Sequence, residues 1–197
     1  MNSMNYVQVT GGGDGSIRLW NIDRLLEASS RQLTFRDASE IPRLIAISEG
    51  YLSITTQGVI HGWRENESWV ELYRDERLGS GCVMSVKEDT VIFGTKTGTV
   101  FIFSTSSLSL KLVDIRQLDQ SKIFSIHLMG TNQFAVCFAD GLMELLDIDG
   151  GCGKPAAQFL LPLAKQRWPS CVYSAKGAIL VGDREGSLHL YSLRQKV

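Results

Sequence analysis

Val9-Thr10-Gly11-Gly12-Gly13-Asp14-Gly15-Ser16-Ile17-Arg18-Leu19-Trp20-Asn21 reads as a short apolar strand, a glycine-bearing turn and a second strand with a large aromatic residue near its end. Extended back to Tyr6, the pattern returns four times more. The later copies are YLSITTQGVIHGW from Tyr51, TVIFGTKTGTVFIF from Thr90, QFAVCFADGLMELL from Gln133 and AILVGDREGSLHLY from Ala178. Their turn glycines, Gly15, Gly58, Gly98, Gly141 and Gly186, are spaced by 43, 40, 43 and 45 residues. A propeller blade of four short strands takes about 40–45 residues, so the period predicts an all-β propeller segment.

The copies align column by column. Two positions past each glycine stand Ile17, Ile60, Val100, Met143 and Leu188; five past stand Trp20, Trp63, Phe103, Leu146 and Tyr191. Strand side chains alternate between faces, so these two apolar columns point to opposite sides of a sheet. A sheet apolar on both sides has to be covered on both, which is the situation of blades stacked around an axis. The turn glycines suit the positive φ of a tight hairpin.

Short apolar runs ahead of the pairs, Arg43–Ile47, Cys82–Val86, Ile123–His127 and Ser170–Ser174, are expected as the innermost strands. Trp69–Tyr73, Leu110–Ile115 and Ala157–Leu161 are expected as outermost strands, and no stretch carries long helical periodicity. The expected division is a partial blade over 1–22, then four-stranded blades over 23–65, 66–105, 106–149 and 150–197. With no strand ahead of its first hairpin, the chain reads as part of a longer propeller. The competing idea is a small ring closed by strands borrowed from the far terminus.

Composition narrows function by exclusion. The 197 residues carry 20 Lys+Arg against 21 Asp+Glu, a net charge of -1 that gives no overall attraction to nucleic acid or membrane. The charge is segregated, however: from Gly151 onward seven basic residues face two acidic ones, a local +5, while the preceding residues carry −6. Cys82, Cys137, Cys152 and Cys171 lack the close spacing of zinc or disulfide frameworks and read as buried thiols of a cytosolic protein. No signal peptide and no apolar run of about 20 residues is present, so a soluble, cytoplasmic protein is expected.

No catalytic constellation emerges, and neither a cofactor nor a metal is expected. His61 and His189 share a repeat column with Arg18, Phe101 and Glu144, which marks a variable structural position; His127 lies elsewhere. Gly11-Gly12-Gly13 lacks the Lys-Ser/Thr and following helix of a phosphate-binding loop and reads as a turn. The candidate binding group is Lys165, Arg167 and Arg184 with Trp168. Basic side chains neutralise phosphates, and an aromatic face stacks an unpaired base. The plainer alternative has Trp168 packing at the start of the last blade's inner strand, with Lys165 and Arg167 as ordinary rim residues.

The first copy resembles the second half of a WD repeat. In that family the turn aspartate, here Asp14, ties down its hairpin, and the tryptophan, here Trp20, packs between blades. Asn21 stands where the family often has Asp, Glu185 replaces the turn acid in the last copy, Gln57 and Thr97 are not acidic, and Asp140 keeps the acid. The resemblance makes Asp14, Gly15, Trp20, Gly58, Trp63, Gly98, Phe103, Asp140, Gly141, Gly186 and Tyr191 the structural motif positions. A narrower likeness rests on TGGGDGSIRLW (10–20), YLSITTQGVIHGWRENESWVEL (51–72) and LLPLAKQRWPSCVYSAKGAILVGDREGSLHLYSL (160–193). Their order and spacing resemble the middle part of the WD repeat-containing protein 6 family, with Phe101 to Pro155 matching poorly. The resemblance implies a non-catalytic, methyltransferase-regulating role in tRNA methylation. The partner would be a tRNA ribose 2′-O-methyltransferase acting at the anticodon wobble position; tRNA itself is a candidate ligand, and no small-molecule substrate is implied. The alternative is a general WD-repeat scaffold in trafficking or signalling, with no RNA role.

Overall fold

The computed structural model describes residues 7–11, 13–21, 30–34, 43–47, 50–64, 69–79, 82–106, 109–118, 121–130, 132–150, 154–160, 171–175, 178–182 and 186–192. It divides into two compact units, Met1–Gly81 and Cys82–Val197. Eighteen strands are described. In the first unit β1 (Val7–Gly11), β2 (Ser16–Asn21) and β3 (Ser30–Thr34) form one sheet; β4 (Arg43–Ile47), β5 (Gly50–Ile54), β6 (Val59–Trp63) and β7 (Val70–Arg74) form a second. In the second unit β8 (Val83–Lys87), β9 (Thr90–Gly94), β10 (Thr99–Ser106) and β11 (Ser109–Gln117) form the third sheet. The fourth holds β12 (Ile123–Met129), β13 (Gln133–Phe138), β14 (Leu142–Asp147) and β15 (Ala157–Leu160), and the fifth β16 (Cys171–Ala175), β17 (Ala178–Gly182) and β18 (Leu188–Ser192). Each sheet is an antiparallel meander in which sequence neighbours are hydrogen-bonded neighbours, the arrangement that short turns between apolar strands favour. A 3₁₀ turn, Glu76–Leu78, is the helical element among the described residues.

Eighteen strands are what four repeats of four and a half repeat of two require, but sheet and sequence repeat are offset by one strand. β7, β11 and β15 each pair with the hairpin that precedes them: Ile60 opposite Tyr73, Phe101 opposite Ile115, Met143 opposite Phe159. Three sheets therefore have four strands, and the first and last have three each among the described residues. The third strand of the first sheet, Ser30–Thr34, pairs with β2 and went unforeseen, because SRQLT has little apolar alternation.

Register explains how the sheets are filled. Antiparallel partners share a face, so Val100 and Ile102 of β10 lie with Ile92 of β9, and this face packs on Phe134, Val136, Phe138 and Leu146 of the fourth sheet. Met143 and Leu145 of β14 lie with Ala135 and Cys137 of β13, and this face packs on Ile179 and Val181 of the fifth, with Tyr191 against the cluster. Each sheet thus has a trailing face, carrying the residues two and four past the glycine. Its leading face carries those three and five past. Fully buried side chains of this size each stabilise by about 1.5–3 kcal/mol, and they lie between sheets. The fifth sheet departs from the expected cover on both faces, since Leu188 and Leu190 on its trailing face are exposed.

Candidate functional site

The hairpin turns are built from a small set of polar side chains. All five turn glycines adopt positive φ, between 74° and 89°. Asp14 accepts hydrogen bonds from the Ser16 amide (3.0 Å), the Ser16 hydroxyl (2.6 Å) and the Arg18 guanidinium (3.0 Å). With those donors, Ser16 foremost, the Asp14 carboxyl titrates at about 2, well below the usual carboxylate range. Asp140 repeats the first of these contacts, accepting from the Leu142 amide at 3.1 Å. In the copies that carry Gln57 and Thr97 at this place, a threonine three residues before the glycine does the same work. Thr55 Oγ1 accepts from the Val59 amide (3.3 Å), and Thr95 Oγ1 accepts from the amides of Thr97 (3.3 Å) and Thr99 (3.0 Å). Sequence reasoning missed both threonines because it followed one column. The signal was there, in that Thr appears at minus three where the acid is missing at minus one.

The aromatic motif positions sit in ring clusters. Trp63 is buried and stacks on Tyr51 (centroids 4.5 Å apart); Phe103 meets Phe93 edge-on (5.6 Å) and lies parallel to Phe101 (6.4 Å); Tyr191 packs on Phe159 (5.7 Å). The backbone of Trp20 pairs with Gln8, and its side chain lies outside the described residues.

Lys165, Arg167, Trp168 and Arg184 also lie outside the described residues. In sequence the first three fall between β15 and β16, and Arg184 falls in the β17–β18 connection, two residues before Gly186.

The groups that could do chemistry are dispersed. His61, His127 and His189 belong to three different sheets; His61 is buried with its ring edge-on to Trp69 at 4.6 Å. Half-burial, with Lys87 next in weight, lowers the His127 pKa. Cys82 and Cys137 are buried free thiols, and burial pushes the Cys137 thiol up to about 12, far from a reactive thiolate. Cys152 and the Cys171 side chain lie outside the described residues. Among the described residues no group of three His, Cys, Asp or Glu side chains could hold a metal ion. A cleft of about 420 Å³ between the third and fourth sheets is lined by Thr90, Ser104, Val113, Asn132 and Asp149, with Phe103 and Ile148 behind. Among the described residues its lining offers one carboxylate, Asp149, and two hydroxyls, Thr90 and Ser104.

Between the same two sheets runs a polar latch. The Arg116 guanidinium, held by Asp114 at 2.6 Å, donates to the Asp147 carbonyl at 2.6 Å and to the Ile148 carbonyl. Nearer the inner strands, Ser85 Oγ accepts from the Leu128 amide at 3.0 Å. These contacts fix one sheet against the next and leave loops and strand edges for binding. No helix among the described residues is long and apolar enough to cross a membrane.

No family model matches the chain. The chain is similar to the tRNA (34-2'-O)-methyltransferase regulator WDR6 of Mus musculus, with 29% identity over 215 residues. The regulators of the same name in Bos taurus and Homo sapiens are 28% and 27% identical. Each match covers 94% of this chain but only 18–19% of the relative, so the chain spans less than a fifth of their length. Among solved structures, the computationally designed Ika8 protein superposes with a TM-score of 0.71 at 20% identity, over 98% of this chain and 57% of that one. BamB from Moraxella catarrhalis gives 0.69 at 12%, over 97% and 56%. These likenesses speak to fold: the chain is an all-β segment of β-propeller architecture.

Proposed function

We propose that the chain is a non-catalytic WD-repeat part of a regulator that helps a tRNA ribose 2′-O-methyltransferase act on the anticodon wobble position. One observation carries this reading: similarity along 94% of the chain to proteins named as regulators of that reaction. The physical chemistry is compatible with it. Rigid sheets with latched neighbours hold rim loops in fixed relation, and a partner gains rate when its substrate is held in the reactive orientation. The methyl transfer belongs to a separate enzyme carrying the S-adenosylmethionine site, and this chain acts beside it in the cytoplasm. Lys165, Arg167 and Arg184 would meet tRNA phosphates, and Trp168 would stack on an unpaired base.

The test is affinity purification of the protein from cells with mass spectrometry of what accompanies it, joined to wobble-methylation profiling after its depletion. Recovery of a methyltransferase together with loss of 2′-O-methylation is expected. Unchanged methylation with only trafficking or signalling partners would replace this reading with a general interaction scaffold.

A further inference from the structure

Two walls of different chemistry line the cleft between the third and fourth sheets. The third-sheet wall carries a bulge: Ile102 pairs with Asp114 and Phe103 with Leu112, so Val113 is an extra residue between them. A bulge re-aims a side chain, and here Val113 lines the cleft while remaining 58% exposed. The fourth-sheet wall is Asn132, Ile148 and Asp149, and hydrogen bonds hold its backbone in place. The Asn132 carbonyl accepts from the Ile148 amide at 2.8 Å, and Asn132 Oδ1 accepts from the Asp149 amide at 3.3 Å. The Ile148 carbonyl accepts from Arg116. Asp149 itself is exposed, and its carboxylate has no cationic partner among the described residues. Arg116 is taken up by Asp114 and two carbonyls, while Lys87 and Lys111, opposite Thr90 and Ser104 in the register, are exposed.

We propose that this cleft docks an arginine carried on a segment of a protein partner. The one charged residue of the lining is a carboxylate, which selects a cation and disfavours phosphate. A guanidinium suits the set better than an ammonium. It pairs with Asp149 in a planar fork and has N–H donors left for the hydroxyls of Thr90 and Ser104. Its methylene stem lies on Val113 and Ile148, as long basic side chains do on apolar surface. At about 420 Å³ the cleft falls within the range of ligand sites, about 300–1,000 Å³. A small free cation would satisfy Asp149 and leave Val113 bare, whereas a protein segment covers both. Because the Asp149 backbone is already fixed, little ordering is needed when the partner arrives. The inference stands apart from the tRNA reading: the cleft is the same whether the partner is a methyltransferase or a client of a general scaffold.

Photo-crosslinking of the full-length protein in cells tests this. The probe, p-benzoylphenylalanine, replaces Lys111, an exposed residue beside the cleft that leaves the lining intact. A second probe at Val70, 52% exposed on β7, is the reference for nonspecific capture. The expected product joins position 111, and not position 70, to one arginine-containing peptide of a different protein. Asp149→Asn should lower its yield roughly ten-fold, as loss of one charge-assisted bond predicts, and so should replacing the partner's arginine by alanine. Products from position 70 should be unchanged by Asp149→Asn, which shows that the variant is folded. A yield indifferent to Asp149→Asn would overturn the proposal. So would the absence of a product specific to position 111, or a product with RNA or with a second copy of this chain.

Discussion

Gly58 and Gly186 occupy the same place in two copies of the repeat and have nearly the same φ, +79° and +80°, but their surroundings differ. A Cβ on Gly58 would lie 2.0 Å from the Asp75 carbonyl oxygen, in a turn where the Asp75 amide also bonds the Gly58 carbonyl at 3.1 Å. A Cβ on Gly186 meets nothing within 4 Å. Gly186→Ala should therefore cost only the left-handed backbone penalty, about 1 kcal/mol. Gly58→Ala adds a clash with main chain and should cost about 3 kcal/mol or more. Urea unfolding of the two variants checks the order, and equal losses would mean that the Asp75 strand end yields freely. Asp14 supports a prediction of a different kind. Its folded pKa lies below its unfolded one, so its contribution is fully present above about 4 and is lost as pH falls through about 2. Carboxyl NMR should place the midpoint near 2, and Ser16→Ala should raise it further than Arg18→Ala, since the Ser16 hydroxyl is the donor that lowers the carboxyl most, while the Ser16 amide bond survives in both variants.

Arg116 shows what holds one sheet to the next and why sequence reading passes over it. Its planar fork, partly buried near the end of β11, serves Asp114 on its own strand and two backbone carbonyls more than thirty residues away. Arg116→Ala leaves those carbonyls without their donor and should destabilise by about 2–3 kcal/mol. Arg116→Lys should recover less than half, because an ammonium cannot reproduce the bidentate geometry. Thermal unfolding of both variants tests this, and full recovery by lysine would show that charge alone matters. Such a contact is illegible in the sequence because carbonyls leave no side-chain signature. The hairpin strands were legible for the opposite reason. Their apolar columns and turn glycines repeat at fixed offsets, and β4 falls where Arg43–Ile47 was expected. Outer strands were legible to within a few residues where apolar alternation persisted, as in Val70–Arg74. The polar Ser30–Thr34 was not, since its place comes from pairing with β2.

For the molecule as a whole, the net charge of -1 hides a +5 segment after residue 150 and a −6 remainder. At physiological ionic strength fields decay over about 8 Å, so the total charge says little and local clusters decide whether an anion is held. That is why the candidate RNA group was legible as composition and spacing while its geometry was not: Lys165, Arg167, Trp168 and Arg184 lie outside the described residues. Salt dependence supplies a test that needs no geometry. If Lys165 and Arg167 each neutralise one tRNA phosphate, the double variant Lys165→Ala/Arg167→Ala should lower the slope of log K against log salt by about 1.4–1.8. Trp168→Ala should weaken binding by about 1–3 kcal/mol with the slope unchanged, because stacking releases no counterions. Lys111→Ala, exposed on β11 within the acidic remainder, should leave both quantities as they were. A slope unmoved by the double variant would place any phosphate contacts elsewhere. The +5 segment would then be a solvated charge excess, and tRNA would be held by the methyltransferase or by other parts of the regulator.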